Sequence, residues 1–285
     1  MTRSGLRHVE RLRVRWAEVD AQRIVFNGHY LMYLDTAVAG YWRAMALPYE
    51  TTLAGFGGDL YVKKATLEYH ASARYDEPLE IGIRCEHIGR SSMTLRAAVF
   101  RETALLVEGE LLYVFADPAT QTSRPLPEGL RALIEGYERG DAVLVTECGD
   151  WVRLRADASA LREAVFVQEQ GLPPDLVWDA TDAGALHAVA RNRLGVALAA
   201  GRLVTVAPGV SKLGRMAASP LLRGAGAGRA VLEALLAAAR ARGDGEVLLH
   251  AQTSAIGFYA RHGFVPRGAP FQEAGIEHRE MFRAP

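Results

Sequence analysis

Hydrophobic positions in the first half of the chain repeat with two different periods. Val9–Trp16 alternates apolar and polar side chains, which predicts a strand. Tyr30–Leu47 places apolar side chains at helical spacing, which predicts an amphipathic helix. Because one helix is followed by adjacent strands, the pattern predicts an antiparallel sheet curled around that helix. The strands predicted after the helix are Leu60–Ala73, Leu79–Ile88, Ser92–Arg101 and Ala104–Phe115.

Prolines and glycines break this pattern in the middle of the chain. Three prolines, Pro118, Pro125 and Pro127, end the last predicted strand region, and Pro127–Arg139 is typical of a helix. Gly140 follows it, so we place a domain boundary there, between residues 1–140 and residues 141–285. The chain has 285 residues and is 49% hydrophobic, which is enough for a core in each half. The overall expectation is an α+β chain of two unrelated domains.

A glycine-rich turn follows a predicted strand in the second half. Ser211–Ser219 is predicted as the strand, Pro220 ends it, and Gly226–Arg242 has helical periodicity. Alternating glycines leave no side chain between a ligand and the backbone, and arginines on both sides add positive charge. Amides here point to one place at the positive end of the helix dipole, which predicts a phosphate site, above all for a pyrophosphate. The predicted binding residues are Arg223, Gly224, Ala225, Gly226, Ala227, Gly228 and Arg229.

The glycine spacing can be compared with the spacing of two familiar phosphate-binding loops. A P-loop requires Lys and then Ser or Thr after its last glycine, and Arg229 and Ala230 exclude it here. A dinucleotide-binding turn requires Gly-x-Gly-x-x-Gly, which the observed Gly-x-Gly-x-Gly fits poorly. A plain glycine-rich connection is the other alternative, and the order of strand, proline, loop and helix argues against it.

That order resembles the acyl-CoA-binding motif of the GNAT family of N-acetyltransferases. Three further segments are similar to the same family, and the resemblance covers the chain from about Trp151 to its end. It implies a mixed α/β domain that uses acetyl-CoA as a substrate and an amine as the acceptor. The three segments are Ala164–Gln170, Leu249–Phe264 and Phe271–Met281.

The resemblance also implies a mechanism. The pantetheine arm would lie beside the strand that ends at Met216, Ala217 and Ala218, where a backbone amide polarises the acetyl carbonyl. After direct attack by the amine, Tyr259 would protonate the departing CoA thiolate. The alternative for Tyr259 is a core aromatic of a short helix. The general base stays open, and a water chain is one alternative to the candidates Glu169, Asp179, Asp182, His187, His250, Glu277 and His278.

Four segments of the first half form a second pattern: Trp16–Asp20, Ile24–Tyr30, the strand region from Lys63 to Tyr75 that ends in Asp76–Leu79, and Ile88–Ser92. They resemble hotdog-fold acyl-CoA thioesterases of the 4-hydroxybenzoyl-CoA thioesterase type, over roughly Val9–Phe115. The resemblance implies an antiparallel sheet wrapped around a central helix, and homodimers or homotetramers with the CoA site at the subunit interface.

The family's acid corresponds to Asp20, which is ionised at pH 7 and can attack a thioester carbonyl or activate water. Amides at the start of the helix can polarise the same carbonyl, and these belong to Asn27, Gly28, His29 and Tyr30. The alternative for Asp20 is a loop residue that accepts local backbone hydrogen bonds. Arg23-Ile24, and the order of Asn27 before His29, depart from the family pattern. These departures indicate changed substrate access or lost catalysis.

Composition excludes several other classes. Equal numbers of basic and acidic residues, 33 of each, and no basic stripe argue against nucleic-acid binding. Two isolated cysteines and eight scattered histidines show no disulfide or metal-ligand spacing, so we expect no metal. Neither a signal peptide nor a membrane span is visible, so we expect a cytoplasmic protein.

The sequence therefore predicts a bifunctional CoA-dependent enzyme. We expect the first domain to hydrolyse an acyl-CoA thioester and the second to transfer acetyl from acetyl-CoA to an amine. One alternative is an acetyltransferase alone, with the hotdog half a non-catalytic oligomerisation or acyl-binding module. Another is a second half that only senses acetyl-CoA.

Overall fold

A computed structural model of the chain describes residues 3–285, apart from the side chain of residue 4. Its internal contacts divide after Val143 into unit 1 and unit 2. Each unit has its own buried core.

Unit 1 wraps a five-stranded antiparallel sheet, in the order β1-β3-β4-β5-β2, around one long helix. The helix buries Leu34, Ala37 and Tyr41 completely. A side chain at Gly109 on the sheet would meet Leu34 Cδ2 at 2.7 Å, so a glycine lets the helix approach. The predicted sheet around a central helix is confirmed. The elements are β1 (His8–Arg13), α1 (Asn27–Ala44), α2 (Tyr49–Gly55), β2 (Asp59–Tyr69), β3 (Pro78–Ile88), β4 (Ser92–Arg101), β5 (Ala104–Ala116) and α3 (Glu128–Arg139).

Two element boundaries in unit 1 differ from those expected. Helix α1 begins three residues before the expected Tyr30 and ends before Ala46, whose φ of 55° is left-handed. Strand β2 ends at Tyr69 rather than Ala73, because the amides of His70 and Ala71 both donate to the carbonyl of Leu106. That shared acceptor breaks the ladder and turns the chain away from the sheet.

Helix α3 is tied into the core of unit 1 by one carboxylate. Glu138 Oε1 accepts hydrogen bonds from the Tyr41 hydroxyl at 2.6 Å and from the Cys85 amide at 2.7 Å. The helix ends at Gly140, whose φ of 94° is left-handed and satisfies the usual requirement of a helix C-cap.

Unit 2 contains a seven-stranded mixed sheet in the order β11-β12-β10-β9-β8-β7-β6. The neighbours β9 and β10 are parallel, and the other neighbouring pairs are antiparallel. The expected first helix at Ala164–Gln170 is a π-helical continuation of α4 over Glu163–Glu169. The elements are β6 (Leu144–Gly149), α4 (Trp151–Arg162), β7 (Leu186–Asn192), β8 (Ala197–Ala207), β9 (Val210–Ala218), α5 (Ala227–Ala241), β10 (Glu246–Gln252), α6 (Ile256–Ala260), β11 (Val265–Glu273) and β12 (Ile276–Arg283).

Strands β9 and β10 separate part-way along their length. They pair in register only over Val210–Leu213 and Glu246–Leu249 within the described chain. Beyond that point β9 continues to pair with β8 as far as Ala218. One edge of Gly214–Ala218 therefore faces a gap in the sheet rather than a neighbouring strand.

Candidate active sites

The glycine-rich turn of unit 2 is shaped by two left-handed glycines. Gly224 and Gly226 both have φ of 87°, and Gly226 is the N-cap of α5. A Cβ at Gly226 would have no protein atom within 4 Å, so the conformation, and not crowding, requires glycine there. The first amides of α5 have no acceptor inside the helix, which leaves them available to an anion.

The arginines that flank this turn already have acidic partners. Arg223 Nη1 donates to Glu169 Oε1 at 2.8 Å, and its other terminal nitrogen donates to the second oxygen of the same carboxylate. The Arg223 hydrogen bond lowers the pKa of Glu169. Arg229 lies 3.7 Å from Glu233, one turn further along α5. The backbone of the turn, more than its side chains, therefore offers the positive charge that sequence reasoning expected.

The gap between β9 and β10 opens into a cavity of about 730 Å³. Met216 and Gly214 line it from β9, and Tyr259 lines it from α6. Ala217 and Ala218 pair with β8, so their strand keeps its position beside the gap. Arg215 has a φ of 52°, next to a register shift between β8 and β9, and this marks a bulge at the gap.

Tyr259 is almost completely buried at this cavity. Its side chain is 8% exposed, and its ring packs against Phe258 and Phe264 at centroid distances of 5.1 and 5.8 Å. Burial raises the pKa of the phenol well above its usual range, so the hydroxyl keeps its proton. Tyr259 is thus a packed aromatic with a protonated hydroxyl, and its role as the acid stays a prediction.

Of the seven candidate bases, His250 lies at the point where strands β9 and β10 separate. It is the first residue of β10 beyond the parallel pairing, and it lines the cavity. Its Nδ1 lies 2.7 Å from Glu273 Oε2 and 3.1 Å from Lys212 Nζ. A proton on Nδ1 donated to Glu273 leaves Nε2 as an acceptor. Glu280 on β12 lies 3.8 Å from that nitrogen and is bound to Arg267.

The other candidates are occupied elsewhere. Asp182 and His187 are buried at 3% and 0% exposure, and His187 Nε2 lies 2.9 Å from the Asp182 carbonyl. Glu277 accepts a hydrogen bond from Thr253 Oγ1 at 2.7 Å. His278 differs from these, because it lines the cavity and its Nδ1, 2.8 Å from the Ile276 carbonyl oxygen, leaves Nε2 as an acceptor.

A cluster of arginines and aspartates, which we call the arginine cluster, forms another wall of the cavity. Asp179 accepts hydrogen bonds from Arg202 and Arg215, and the bond from Arg202 holds the pKa of Asp179 well below its usual range. Asp182 accepts from Arg202 at 2.6 Å and from Arg162 at 2.9 Å. Sequence reasoning missed the three arginines, because α4, β8 and β9 bring them together from distant parts of the chain.

In unit 1, Asp20 lies in a turn before α1. Its Oδ1 accepts the Gln22 amide at 2.8 Å, and its own amide donates to the Ile24 carbonyl at 2.9 Å. The carboxylate is half-buried, and Arg23 beside it has a left-handed φ of 61°. The turn fixes Asp20 by local hydrogen bonds and leaves Oδ2 as a second acceptor on the same carboxylate.

The amides expected to polarise a thioester lie at the start of α1. The His29 amide already donates to the Phe26 carbonyl at 2.9 Å. The amides of Asn27 and Gly28 therefore remain as the ones without an acceptor inside the helix. Tyr30 is buried, and its hydroxyl accepts a hydrogen bond from the Ala73 amide at 2.8 Å. His29 Nδ1 is buried without a hydrogen-bond partner among the described residues.

Sequence reasoning missed a buried carboxylate that holds this loop. Glu18 accepts the Arg15 amide and the Tyr33 hydroxyl, both at 2.7 Å, and the Glu18 carbonyl accepts the Phe26 amide at 2.9 Å. Burial by itself would raise the pKa of Glu18, but the hydrogen bonds from Arg15 and Tyr33 lower it overall. Glu18 therefore connects the Asp20 turn to the first turn of α1.

One group of potential metal ligands occurs among the described residues. Glu68, His70 and Glu108 bring one ligand atom each within 4.8 Å of the others, on β2, just past its end and on β5. His70 Nε2 lies 3.5 Å from Glu108 Oε2, an ion pair when the histidine is protonated. Exposed acidic groups of this kind are common without a metal. Within residues 3–285, no helix has the length and apolar composition needed to cross a membrane.

Comparisons with known proteins give separate matches for the two halves of the chain. The sequence model of the Thioesterase superfamily matches residues 22–108, and that of the Acetyltransferase (GNAT) domain matches residues 183–283. The acyl-CoA thioester hydrolase YbgC of Escherichia coli O6:H1 is 30% identical over 42% of this chain and 90% of its own length. The uncharacterised N-acetyltransferase YjcF of Bacillus subtilis is 35% identical over 45% of this chain and 90% of its own length.

A solved thioesterase structure is also similar to part of this chain. The 1,4-dihydroxy-2-naphthoyl-CoA thioesterase Slr0204 from Synechocystis covers 45% of this chain and 94% of its own, with a TM-score of 0.42 and 15% identity. The two resemblances drawn from the sequence are confirmed by the family matches and the two relatives. The chain thus belongs to two families at once, a hotdog-fold thioesterase domain being followed by a GNAT acetyltransferase domain.

Proposed function

We propose that unit 2 transfers an acetyl group from acetyl-CoA to an amine. The observation that carries this proposal is the shared position of three features: the gap beside Gly214–Ala218, the buried Tyr259 and the oriented His250 all belong to one cavity. The amides of residues 223–229 supply a site for the CoA pyrophosphate. Met216, Ala217 and Ala218 supply the strand edge for the pantetheine arm.

The proposed reaction balances as follows. His250 Nε2 takes a proton from the acceptor ammonium, and the neutral amine nitrogen then adds to the acetyl carbonyl carbon. A backbone amide at the gap polarises the carbonyl oxygen as charge develops on it. The C–S bond then breaks, and Tyr259 gives its proton to the CoA sulfur. The second proton of the nitrogen passes to the Tyr259 phenolate, and His250 releases its proton to solvent through the cavity, which restores both groups.

Calorimetry on the full chain with acetyl-CoA tests this proposal, together with a panel of amines assayed for acetylated product by mass spectrometry. We expect binding and amine-dependent product. Tight binding without any acetylated amine would favour the alternative of an acetyl-CoA sensor. No binding at millimolar acetyl-CoA would overturn the proposal.

We propose further that unit 1 hydrolyses an acyl-CoA thioester. Asp20 takes a proton from water, and the resulting hydroxide adds to the carbonyl carbon, whose oxygen faces the amides of Asn27 and Gly28. The C–S bond breaks, and the thiolate takes the proton back. The support is the fixed Asp20 carboxylate in the loop that Glu18 connects to the start of α1.

The alternative for unit 1, a non-catalytic acyl-binding module, gives a different result in one assay. Wild-type protein and Asp20→Asn are tested with acyl-CoA substrates of different chain length and with aromatic acyl groups. Hydrolysis by the wild type alone supports the enzyme. If the wild type hydrolyses none of them, the binding module is favoured.

We also propose that unit 1 assembles into homodimers or homotetramers. Strand β2 forms an open edge of the sheet, and large apolar side chains remain exposed near the start of α1. They include Phe26 (52%), Leu31 (42%), Met32 (54%) and Tyr69 (48%). Light scattering tests this, and a monomer at micromolar concentration would contradict it. A cytoplasmic location is the related proposal, supported by free Cys85 and Cys148.

A further inference from the structure

The charges of the arginine cluster do not cancel. Three guanidiniums, of Arg162, Arg202 and Arg215, share the carboxylates of Asp179 and Asp182. The side chains of Arg162 and Arg202 are only 1% and 10% exposed, so water screens them poorly. One positive charge is therefore left over inside this cluster, which is unfavourable unless a further anion compensates it.

The surplus charge is most accessible at Arg215. Its side chain is 26% exposed and lines the cavity, whereas Arg162 does not line it. One terminal nitrogen of Arg215 donates to the Leu176 carbonyl at 3.0 Å and to Asp179 at 2.9 Å. Its Nε is buried without a hydrogen-bond partner among the described residues. The guanidinium thus retains donor capacity at the cavity wall.

The part of the cavity around His250 needs no extra anion. Lys212 lies beside His250 and contributes a positive charge near Glu273, and Glu280 is bound to Arg267. The phosphates of CoA are assigned to the turn at residues 223–229, and its pantetheine arm is uncharged. The missing anion must then come from the acceptor molecule.

We propose that the amine acceptor is an amino acid, whose carboxylate binds to Arg215 while its amine faces His250. A single surplus charge matches a carboxylate better than a phosphate, which carries −1.5 to −2 at pH 7. Arg202, which lines the same cavity and shares Asp179 with Arg215, strengthens the positive potential at this wall. This inference rests on the acetyl transfer proposed above and adds the substrate class.

The experiment compares each L-amino acid, β-alanine and γ-aminobutyrate with its amide, which keeps the amine and loses the negative charge. For the best acceptor we expect kcat/KM at least about tenfold above that of its amide, since a hydrogen-bonded charge pair contributes strongly. Arg215→Gln should remove that preference, mainly by raising KM for the amino acid. Arg240→Gln, on an exposed arginine that does not line the cavity, is the control.

Two measurements keep the result interpretable if Arg215→Gln folds poorly. Arg215→Lys retains the charge but loses the planar fork, so we expect an intermediate loss of the preference. Thermal stabilisation by amino acids and by their amides, measured with CoA present, reports binding without turnover. Amino acids should stabilise the wild type more than their amides do.

The outcomes separate this inference from the proposed function. Acetylation of amides or simple amines as efficiently as of amino acids would overturn the inference and leave acetyl transfer standing. The inference also fails if amino acids are neither acetylated nor bound while acetyl-CoA binds. Failure to bind acetyl-CoA would overturn the proposed function itself.

Discussion

At the scale of single residues, burial determines what Tyr259 can contribute. Its ring is held by Phe258 and Phe264, and burial raises the pKa of the phenol. The hydroxyl therefore stays protonated at pH values where an exposed tyrosine ionises, near 10. The same shift makes it a weaker acid toward a thiolate, whose pKa is about 8.5. We therefore expect Tyr259 to increase the rate of acetyl transfer by a factor at the lower end of the range for general acids.

Replacing Tyr259 by phenylalanine keeps the packing and removes only the hydroxyl. We expect kcat for acetyl transfer to fall about 100-fold, with the acetyl-CoA dissociation constant unchanged. Steady-state kinetics and calorimetry measure the two quantities. An unchanged kcat would mean that the thiolate leaves without this proton, and that Tyr259 is a packing residue alone.

We expect His250 to act as the catalytic group in proton removal and Glu273 to act as its positioning group. For His250→Ala we expect a loss of about 100-fold in kcat, partly restored by added imidazole. Glu273→Gln should cost less, because the histidine remains and only its orientation is lost. Its matched control is Glu277→Gln, since Glu277 bonds to Thr253 instead. Equal effects of both glutamine variants would contradict the positioning role.

The residues of the two sites differ in how well they can be predicted from the sequence. Asp20, Tyr259 and the alternating glycines sit in local motifs, so their types and spacing indicate a chemistry. Glu273, Arg202 and Arg215 have no such signal, because strand pairing brings them to the cavity. His250 could be named as a candidate but not chosen, since the choice depends on where β9 and β10 separate.

At the scale of elements, the turn before α5 depends on a left-handed N-cap. Gly226→Ala places a side chain at φ of 87°, which costs about 1–3 kcal/mol of stability or tilts the amides away from the ligand. We expect acetyl-CoA to bind at least about tenfold more weakly, as an amide–phosphate hydrogen bond is lost.

The chain offers a matched control for this variant. Gly243 follows the other end of α5, has φ of 82° and, like Gly226, leaves open space for a Cβ. Gly243→Ala should cause a comparable loss of stability in urea unfolding without changing acetyl-CoA affinity. If both variants weaken binding equally, the turn acts through the stability of α5 and not through its amides.

Hydrophobic periodicity predicts most elements of unit 1 but only β9 and α5 of unit 2, and several of its failures have physical causes. It places β9 within one residue of its observed ends and finds the buried face of α1. It misses α2, a seven-residue helix too short to repeat an apolar stripe. It also cannot show that β9 and β10 are parallel neighbours, because that pairing joins segments separated by the whole of α5.

At the scale of the whole molecule, both proposed reactions release free CoA. A variant of one site should therefore remove only the CoA that this site releases. Asp20→Asn keeps an acceptor for the Gln22 amide, so we expect it to fold and to lose about 100-fold or more of acyl-CoA hydrolysis. Its amine-dependent acetylation should be unchanged, whereas Tyr259→Phe should show the reverse. Free CoA and acetylated product, followed together, distinguish the reactions. Loss of both activities in either single variant would contradict two independent sites, because it would require one centre to perform both reactions.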